Sequence, residues 1–436
     1  MEFVIFCVLK FNYCNFYNMS FFGLFGKKTG GEYALSLDIG TEFVKTIIFK
    51  ITAPSEGEVL GIGRQRQRLG DMQGGAVMDI AGVINNCKVA MGQAEEMAGV
   101  SPEQTIIGIA GELVKGATTN VHYTRRDPAK NIEMKELKKI IAKVQEKSFE
   151  KAREILAWET GYQEIDVKLV NSAVVDVRID GYKVTNPLGF QGKEVSVGIF
   201  NSFAPIIHLG ALTTIAENLD LDLLSIAVEP YAVARCVGLE DASEFSAIFM
   251  DIGGGTTDIA VVRNGGVEGT KMFALGGRSF TKRLASEFDV SFAQAEEIKL
   301  NYSSEGLDEQ SKKRVKDAFS NDISVWLSGV ELTLSEFSDI ELLPSRILLC
   351  GGGSKLPDIV ESLESDDWYK RLPFAKRPAI SYIKIADVEN IIDKTGQLSS
   401  PQDITPMALG NLALDLMGEE GVVEGILRRV SRAVRT

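Results

Sequence analysis

The sequence predicts an α/β protein built from two related halves. The pattern of an apolar strand, an Asp-x-Gly turn and a second strand occurs at residues 33–50 and again at 246–262. A pattern that occurs twice in this way is typical of a duplicated unit. The length agrees, because a chain of 436 residues can bury two substantial cores.

The hairpin at residues 246–262 carries the clearest chemical signal. Its turn reads Asp251-Ile-Gly-Gly-Gly-Thr-Thr257, and three successive glycines expose the backbone and permit positive φ. Amide N–H groups in such a turn form an anion-binding concavity, the two threonines add hydroxyl donors, and the carboxylate can hold a cation. The turn therefore predicts a phosphate and Mg²⁺ site. A plain glycine-rich hairpin capped by Asp251 is the alternative.

Two more stretches extend this interpretation. The turn at residues 38–41 reads Asp-Ile-Gly-Thr, so each half supplies one carboxylate and the two turns can close on one triphosphate. Residues 351–354, Gly-Gly-Gly-Ser, follow an apolar strand and precede a helix beginning near Leu356. Such a loop can pack flat against a ring such as adenine, although a plain strand-to-helix turn is equally compatible. Neither P-loop spacing nor Gly-x-Gly-x-x-Gly occurs at these sites.

Glycine-rich sites in this order resemble the actin-like ATPase superfamily of actin, heat-shock chaperone ATPases and sugar kinases. Residues 227–238 and 405–410 are similar to its two interdomain helices. The resemblance spans Tyr33 to Leu416 and implies two ribonuclease-H-like lobes that hold ATP and Mg²⁺ between them. The residues implied to bind ATP are Asp38, Gly40, Thr41, Gly253, Gly254, Gly255, Thr256, Thr257, Gly351, Gly352, Gly353 and Ser354.

The same resemblance implies roles for the acidic residues. Asp38 and Asp251 would anchor Mg²⁺, mainly through water, and take part in catalysis. Glu229 matches the position from which the chaperone ATPases orient the attacking water, so it is the candidate base. In a helix predicted to begin at Ser291, Glu296 and Lys299 lie three residues apart on one face, where both can reach a ribose. A surface ion pair is the alternative for that pair.

Composition limits the partners. The net charge of −13 argues against nucleic acid as a main partner. The five cysteines show no metal-like spacing, so reduced thiols in the cytosol are expected. Arg64, Arg66 and Arg68 alternate along a predicted strand and are interpreted as a solvated strand face.

An added α+β unit is predicted between the two hairpins, at residues 83–202. It combines a charged helix at 131–159 with strands at 105–110, 165–171, 174–179 and 194–200. Its position, with residues 74–83 and 186–192, resembles FtsA, the actin-like cell-division family, whose insert mediates contacts between subunits. Other division proteins could bind there too, and a folding insert without a partner is the alternative. In FtsA the subdomain that corresponds to the basic stretch at 312–316 receives the acidic tail peptide of FtsZ.

The two ends of the chain differ in character. Residues 1–32 are predicted to be an N-terminal extension, and residues 1–18 within it are apolar and aromatic. Their longest uncharged run, Phe3 to Leu9, is too short to cross a bilayer, so an over-long reading frame that truly begins at Met19 is favoured, with a membrane-touching aromatic segment as the alternative. Residues 421–436 predict an amphipathic helix for an anionic membrane surface, and FtsA proteins end in such a helix. Docking of this helix on the core is the alternative. Its membrane-facing residues are Val423, Ile426, Leu427, Val430, Val434, Arg428, Arg429, Arg432 and Arg435.

The predicted organisation follows from these segments. The first lobe comprises residues 33–82, 203–240 and 403–418, and the second lobe comprises 241–402 with a helical subdomain at about 278–345. The resemblance implies an ATP-binding division protein with weak ATPase activity at most, which forms filaments on the inner face of the cytoplasmic membrane and tethers FtsZ at the division site. A PilM-like type IV pilus scaffold and a small-molecule kinase are the alternatives.

Overall fold

The structure is a computed structural model that describes residues 32–111, 114–160, 166–237, 244–365 and 367–418. The predicted start at Met19 and the predicted membrane helix at 421–436 lie outside these ranges.

The described ranges contain both strands and helices, which follow one another singly or in short runs. The strands are β1 (Tyr33–Ile39), β2 (Phe43–Ala53), β3 (Glu56–Arg66), β4 (Met72–Gln73), β5 (Ala76–Val77), β6 (Gln104–Ile109), β7 (Lys115–Thr124), β8 (Val167–Ile179), β9 (Tyr182–Lys183), β10 (Glu194–Pro205), β11 (Asp222–Val228), β12 (Ala247–Ile252), β13 (Thr257–Arg263), β14 (Gly266–Phe273), β15 (Arg346–Cys350), β16 (Ala379–Tyr382) and β17 (Ile391–Asp393). The helices are α1 (Ile80–Ala98), α2 (Met134–Thr160), α3 (Ile206–Asn218), α4 (Glu229–Arg235), α5 (Gly277–Phe288), α6 (Phe292–Ser303), α7 (Glu309–Ser335), α8 (Pro357–Leu363) and α9 (Ile404–Met417).

The first lobe is built on a six-stranded sheet in the order β11-β6-β1-β2-β3-β17. Its central strand β1 is buried along residues 34–39, as expected for a strand covered on both faces. Helix α1 packs so closely on β3 that a Cβ on Gly61 or Gly63 would lie 2.1 or 1.7 Å from a carbonyl oxygen of the helix. Helix α9 covers the other face, where Gly410 approaches Ile47 and Phe49. Glycine at these positions therefore sets the spacing of helix and sheet.

The second lobe and the insert share a nine-stranded sheet in the order β16-β15-β12-β13-β14-β7-β10-β8-β9. The two parts join where β14 pairs with β7, with Gly269 opposite Ala117 and Thr270 opposite Gly116. The insert has its own apolar core between α2 and strands β7, β8 and β10. Its sheet nevertheless continues directly into that of the second lobe.

Three predicted boundaries are wrong. Strand β6 pairs with β1, and α1 packs on β3, so both belong to the first lobe and the insert begins at β7 and not at residue 83. Strand β17 pairs with β3, so it also belongs to the first lobe. The segments predicted as two strands at 165–171 and 174–179 form one strand, β8, which tolerates two register shifts against β10. These pairings are long-range, so local sequence pattern did not reveal them.

The predicted starts of two helices are confirmed. Asp79 precedes an apolar-striped stretch and Ser291 lies three residues before Gln294, and both patterns predict the start of a helix. The structure confirms both, because the Asp79 side chain accepts from the Ala81 N–H at α1, and Ser291 and Gln294 form a capping box at α6. No helix within the described ranges has the combined length and hydropathy needed to cross a bilayer.

Candidate nucleotide-binding site

A cleft of about 830 Å³ separates the two lobes. Both Asp-Gly turns, the first residue of α4, helix α6, the loop after β15 and the first turn of α9 line it. The predicted site residues in its lining are Asp38, Gly40, Thr41, Glu229, Asp251, Gly253, Gly254, Gly255, Thr256, Glu296, Lys299, Gly351, Gly352 and Gly353. The fold thus gathers residues more than 300 positions apart into one cavity.

The two turns touch each other directly. A Cβ on Gly254 would lie 2.8 Å from Cβ of Glu42, and a Cβ on Gly255 would lie 2.5 Å from the Thr41 hydroxyl oxygen. Real Cβ atoms do not approach other atoms so closely, so the second turn needs glycine here. The close contact leaves backbone amides at the junction of the lobes, where an anion can bind them.

The first turn carries a buried ion pair. Lys45 Nζ donates to Asp38 Oδ2 at 2.7 Å, and the Asp38 side chain is 2% exposed. Burial lowers the pKa of the Lys45 ammonium, but the charge and hydrogen bond of Asp38 outweigh this, and the pKa is raised overall. Lys45 is therefore held as a cation in the cleft.

The second turn carries carboxylates instead. Asp251 Oδ2 accepts a hydrogen bond from the Thr405 hydroxyl at 2.5 Å, and Asp258 Oδ2 accepts one from Thr256 at 3.3 Å. Among the described residues, Asp258 Oδ1 is buried without a partner. Burial, followed by the charge of Asp251, raises the pKa of the Asp258 carboxyl well above its usual range. Burial is also the largest cause of the raised pKa of Asp251.

Glu229 begins helix α4 at the end of β11. It is 6% exposed, and a Cβ on Gly108 would lie 2.6 Å from its Oε1, so the neighbouring strand must present glycine to it. Burial raises the pKa of the Glu229 carboxyl well above its usual range, and Asp38, Asp258 and Asp251 raise it further. A carboxylate whose pKa is raised binds a proton more strongly than an ordinary glutamate does, which is the direction of shift that strengthens a general base.

The helix that carries Glu229 is supported from the insert. Asn171 of β8 accepts a hydrogen bond from the Val228 N–H at 2.8 Å, just before the helix begins. The same oxygen accepts from the Ser202 hydroxyl at 3.3 Å. The ring of Phe200 on β10 stacks on Tyr231 of α4, with centroids 4.9 Å apart. The insert therefore fixes the start of α4 through both polar and aromatic contacts.

The residues predicted to reach a ribose lie together on α6. Lys299 Nζ is 2.8 Å from Glu296 Oε2 and 3.0 Å from the Gly277 carbonyl oxygen, and the Thr281 hydroxyl donates to Glu296 at 2.5 Å. This network is mostly buried in the cleft wall, unlike the surface ion pair that was the alternative. Hydroxyls of a sugar would find both a carboxylate and an ammonium here.

Two predicted contacts are wrong. The Thr257 hydroxyl is fully buried, donates to the Leu275 carbonyl and accepts from the Trp326 indole. The Ser354 hydroxyl is also fully buried and donates to the Gly351 carbonyl. Neither side chain lines the cleft, because each is engaged in fixing a turn. Sequence alone could not separate Thr257 from Thr256.

The triple glycine lines the cleft, as its predicted role requires, and it also packs against the second turn. Gly351 has φ of +81°, and a Cβ there would lie 2.1 Å from Asp251 Oδ1. A Cβ added at Gly353 would similarly lie too close to the end of β12. These two glycines let the loop pack under the second turn, and only Gly352 has open space toward a ring.

Sequence reasoning missed three residues of the cleft. Lys45 and Asp258 each lie seven residues after the aspartate of their turn, and each pairs with that aspartate in its hairpin, Lys45 with Asp38 and Asp258 with Asp251. Pairing the strands from the turn outward would have found them. Arg64, interpreted as part of a solvated strand face, instead lines the cleft beside Lys45.

The donor set fits a hard cation. The cleft offers carboxylate oxygens, which Mg²⁺ prefers, and one of them, Asp258 Oδ1, is buried without a partner. Among the described residues, no three acidic, His or Cys side chains converge on one point as metal ligands. A cation would therefore be shared between one or two carboxylates, water and the phosphates of a ligand, which is the usual arrangement for Mg²⁺.

Two facing lobes, each with an Asp-Gly hairpin on the cleft, define an actin-like fold. A solved PilM–PilN type IV pilus biogenesis complex contains a chain that matches it with a TM-score of 0.59 and 19% identity, covering 89% of this chain and 99% of that one.

Sequence comparison gives the closer relationship. Residues 248–402 match the family model described as cell division protein FtsA. The chain is 26% identical over 362 residues to the cell division protein FtsA of Pseudomonas aeruginosa, covering 77% of this chain and 81% of that protein. It is 25% identical over 355 residues to that of Bacillus subtilis, covering 77% and 76%. The resemblance to FtsA drawn from the sequence motifs is thus confirmed.

Proposed function

We propose that this protein is an actin-like cell-division protein that binds ATP with Mg²⁺ between its lobes and assembles on the cytoplasmic face of the membrane, where it tethers FtsZ at the division site. The observation that carries nucleotide binding is the direct contact of the two Asp-Gly turns, which brings backbone amides, Lys45 and buried carboxylates into one cavity. The similarity to FtsA proteins supports the cellular role.

Each part of the cleft has a task in this proposal. Amides of the two turns and the Lys45 ammonium bind the phosphates, and Glu296 with Lys299 bind the ribose. Asp38 and Asp251 would hold Mg²⁺, which would supply positive charge to offset that of the phosphates. Glu229 takes the proton of the attacking water. Turnover is slow, and the nucleotide serves chiefly to close the lobes and favour filaments.

Titration with ATP tests the nucleotide site. We expect isothermal titration calorimetry to show ATP binding that depends on Mg²⁺, and the Asp251→Asn variant to lose much of that Mg²⁺ dependence. The matched control is Asp289→Asn, which alters an exposed aspartate just past the end of α5. Wild-type protein that binds no ATP at millimolar concentration would end the proposal for this cleft.

Membrane attachment is tested separately. The residues proposed for it, 421–436, combine an aliphatic face with four arginines, and each cation near an anionic surface contributes on the order of 1 kcal/mol. The full chain should float with phosphatidylglycerol vesicles, and a chain that ends at Gly418 should not. Equal flotation of the two chains would contradict membrane attachment through this segment.

Binding of an FtsZ tail peptide separates this proposal from the pilus alternative. Filaments on a membrane would display many FtsZ sites at high local concentration, so even a weak single contact would be effective. We expect a peptide of the FtsZ C-terminus to bind with micromolar affinity and a scrambled peptide not to bind. Binding of a pilus-assembly peptide in its place would favour the PilM-like alternative. A coupled assay with small-molecule phosphate acceptors tests the kinase alternative, for which no acceptor turnover is expected.

A further inference from the structure

A row of charged side chains crosses the first lobe's sheet at the edge of the cleft. Asp38 of β1 lies opposite Lys45 of β2, and Lys45 lies opposite Arg64 of β3. Directly opposed residues of antiparallel strands point to the same face of a sheet. Glycines at positions 61 and 63 face α1, so Arg64 projects from the other face, toward the cleft that it lines.

Arg64 differs from the other mostly buried cations of this cleft in having no anionic partner. Lys45 is paired with Asp38 and Lys299 with Glu296. The Arg64 guanidinium instead lies over the Phe43 ring, with its central carbon 3.7 Å from the ring centroid. Its Nε is buried without a hydrogen-bond partner, and no ion pair between described residues includes it. Lys355 also lines the cleft, but it is exposed and belongs to the other lobe.

A guanidinium held in this way is prepared for an anion. Stacking on Phe43 fixes the plane of the group while leaving its N–H edge available, and a planar fork of N–H donors matches phosphate oxygens. An unmade hydrogen bond of a buried group is costly, so a ligand that satisfies it binds more tightly. Carboxylates dominate the charge of the remaining cleft, so a polyphosphate needs a cation in addition to Lys45.

We propose that Arg64 is a second phosphate-binding residue of the first lobe, which acts beside Lys45 on the polyphosphate of the nucleotide. The assignment rests on the proposed nucleotide-binding function and specifies how that site recognises its anion. It also distinguishes Arg64 from its neighbours on the strand. Arg66 is engaged by Glu42, and Arg68 is exposed outside the cleft.

Calorimetry with ATP, ADP and adenosine tests the assignment on three variants. Arg64→Gln should weaken ATP and ADP binding by roughly 10- to 100-fold, the range for a lost hydrogen bond to a charged group, and leave adenosine binding unchanged. Arg64→Lys keeps the charge but not the planar fork, so it should show a smaller loss. The matched control, Arg68→Gln, removes the same charge from the exposed position and should bind all three ligands as the wild type does.

The possible outcomes separate this assignment from the proposed function. Wild-type protein that binds ATP, together with unchanged ATP affinity in Arg64→Gln, would overturn the assignment alone. Equal losses for adenosine and ATP would also overturn it, because they would indicate a structural effect of the stacked pair. Wild-type protein that binds no ATP would overturn the proposed function and the assignment together. If Arg64→Gln does not fold, as judged by thermal unfolding, ATP binding equal to wild type in Arg64→Lys overturns the requirement for the planar fork.

Discussion

The two hairpins of the cleft have the same strand pairing but differ in the charge of one residue, the one opposite the turn aspartate. In each hairpin, the residue seven positions after the turn aspartate lies directly opposite it across the strands. That residue is Lys45 in the first hairpin and Asp258 in the second. One half of the duplicated unit therefore presents a neutralised pair at the cleft, and the other half presents two acids.

This difference assigns different chemistry to the two lobes. Asp38 has its charge balanced by Lys45 at 2.7 Å, whereas burial is the largest cause of the raised pKa of both Asp251 and Asp258. The charge of Asp38 raises the pKa of Asp251 further, and the charge of Asp251 raises that of Asp258 further. The first hairpin is thus suited to phosphate, since it adds a cation to the turn amides. The second is suited to a metal ion, since two acids with insufficient partners are stabilised by a divalent cation. The two halves share one fold, and the residue opposite the turn aspartate, Lys45 or Asp258, gives each half its own chemistry.

The largest effect is expected at Glu229, which faces both hairpins. Glu229→Gln should reduce ATP turnover roughly 100- to 10,000-fold, the usual contribution of a general base, while ATP affinity stays within a few-fold of wild type. Phosphate release measured with a coupled enzyme and binding measured by calorimetry give the two values. Glu341→Gln, at an exposed position, is the control. Unchanged turnover with intact binding would remove Glu229 as the base.

Substitution of Lys45 tests the ion pair with Asp38 in the first hairpin. Lys45→Met leaves Asp38 buried without its partner, so the free energy of unfolding should fall by roughly 3–5 kcal/mol. Lys50→Met, at another position of the same strand, breaks an exposed pair with Glu32 and should have a much smaller effect, because an exposed ion pair contributes little to stability. Urea unfolding followed by circular dichroism gives both values. The double variant Lys45→Met with Asp38→Asn should regain much of the loss, and failure to regain it would mean that the pair is not what Lys45 stabilises.

A smaller effect is expected where the insert supports α4. Asn171→Leu leaves the buried Val228 N–H without its acceptor, so the free energy of unfolding should fall by roughly 1–3 kcal/mol. Turnover should fall while ATP affinity is kept, because the start of the Glu229 helix loosens. Ser202→Ala removes the two hydrogen bonds between Ser202 and Asn171 but leaves the one to the Val228 N–H, so it should have the smaller effect on turnover. Equal turnover in both variants would mean that the hydrogen bond from the Val228 N–H to Asn171 of the insert does not hold Glu229 in position.

How far the sequence predicted this site depends on the range of the interactions. The turns at Asp38 and Asp251 and the helix caps at Asp79 and Ser291 are local patterns, and the sequence identified them. The lobe boundaries were missed, because the pairings of β6 with β1 and of β17 with β3 connect distant segments. Neither β6 nor β17 pairs with the strand that precedes it in sequence, so the local pattern does not show to which sheet it belongs.

The site itself was predicted by residue type but not by side-chain direction. Thr256 and Thr257 are adjacent and chemically alike, yet only the first lines the cleft, because Thr256 lies in the turn whereas Thr257 begins β13 with its hydroxyl bonded to the Leu275 carbonyl and the Trp326 indole. Arg64 was misinterpreted because only the alternation along its own strand, β3, was considered. Its pairing with Lys45, which places both side chains on the cleft face of the sheet, was not. Register across strands carries this information, and it was available from the hairpin turns.

The smallest expected effect, and the sharpest test of the comparison, is the pH dependence of stability at Asp258. Burial first, and then Asp251 and Asp38, raise the pKa of this carboxyl above its usual 3.8, partly offset by the hydrogen bond from Thr256. Just above pH 3.8 the folded protein therefore keeps a proton that the unfolded chain releases. Because the unfolded state then binds fewer protons, stability falls as the pH rises through this window.

Asp258→Asn cannot lose that proton, so its stability should match wild type below the window and exceed it at neutral pH. A gain in stability at neutral pH is therefore expected without nucleotide, with the sign given by the direction of the pKa shift. Adding Mg²⁺ and ATP should then stabilise wild type more than the variant, because the cation offsets the charge that the variant lacks. Thermal unfolding from pH 4 to 8, with and without Mg²⁺ and ATP, measures both effects. A variant less stable than wild type at neutral pH would show that Asp258 is already balanced within the protein, and the two hairpins would then not differ in the way that the register implies.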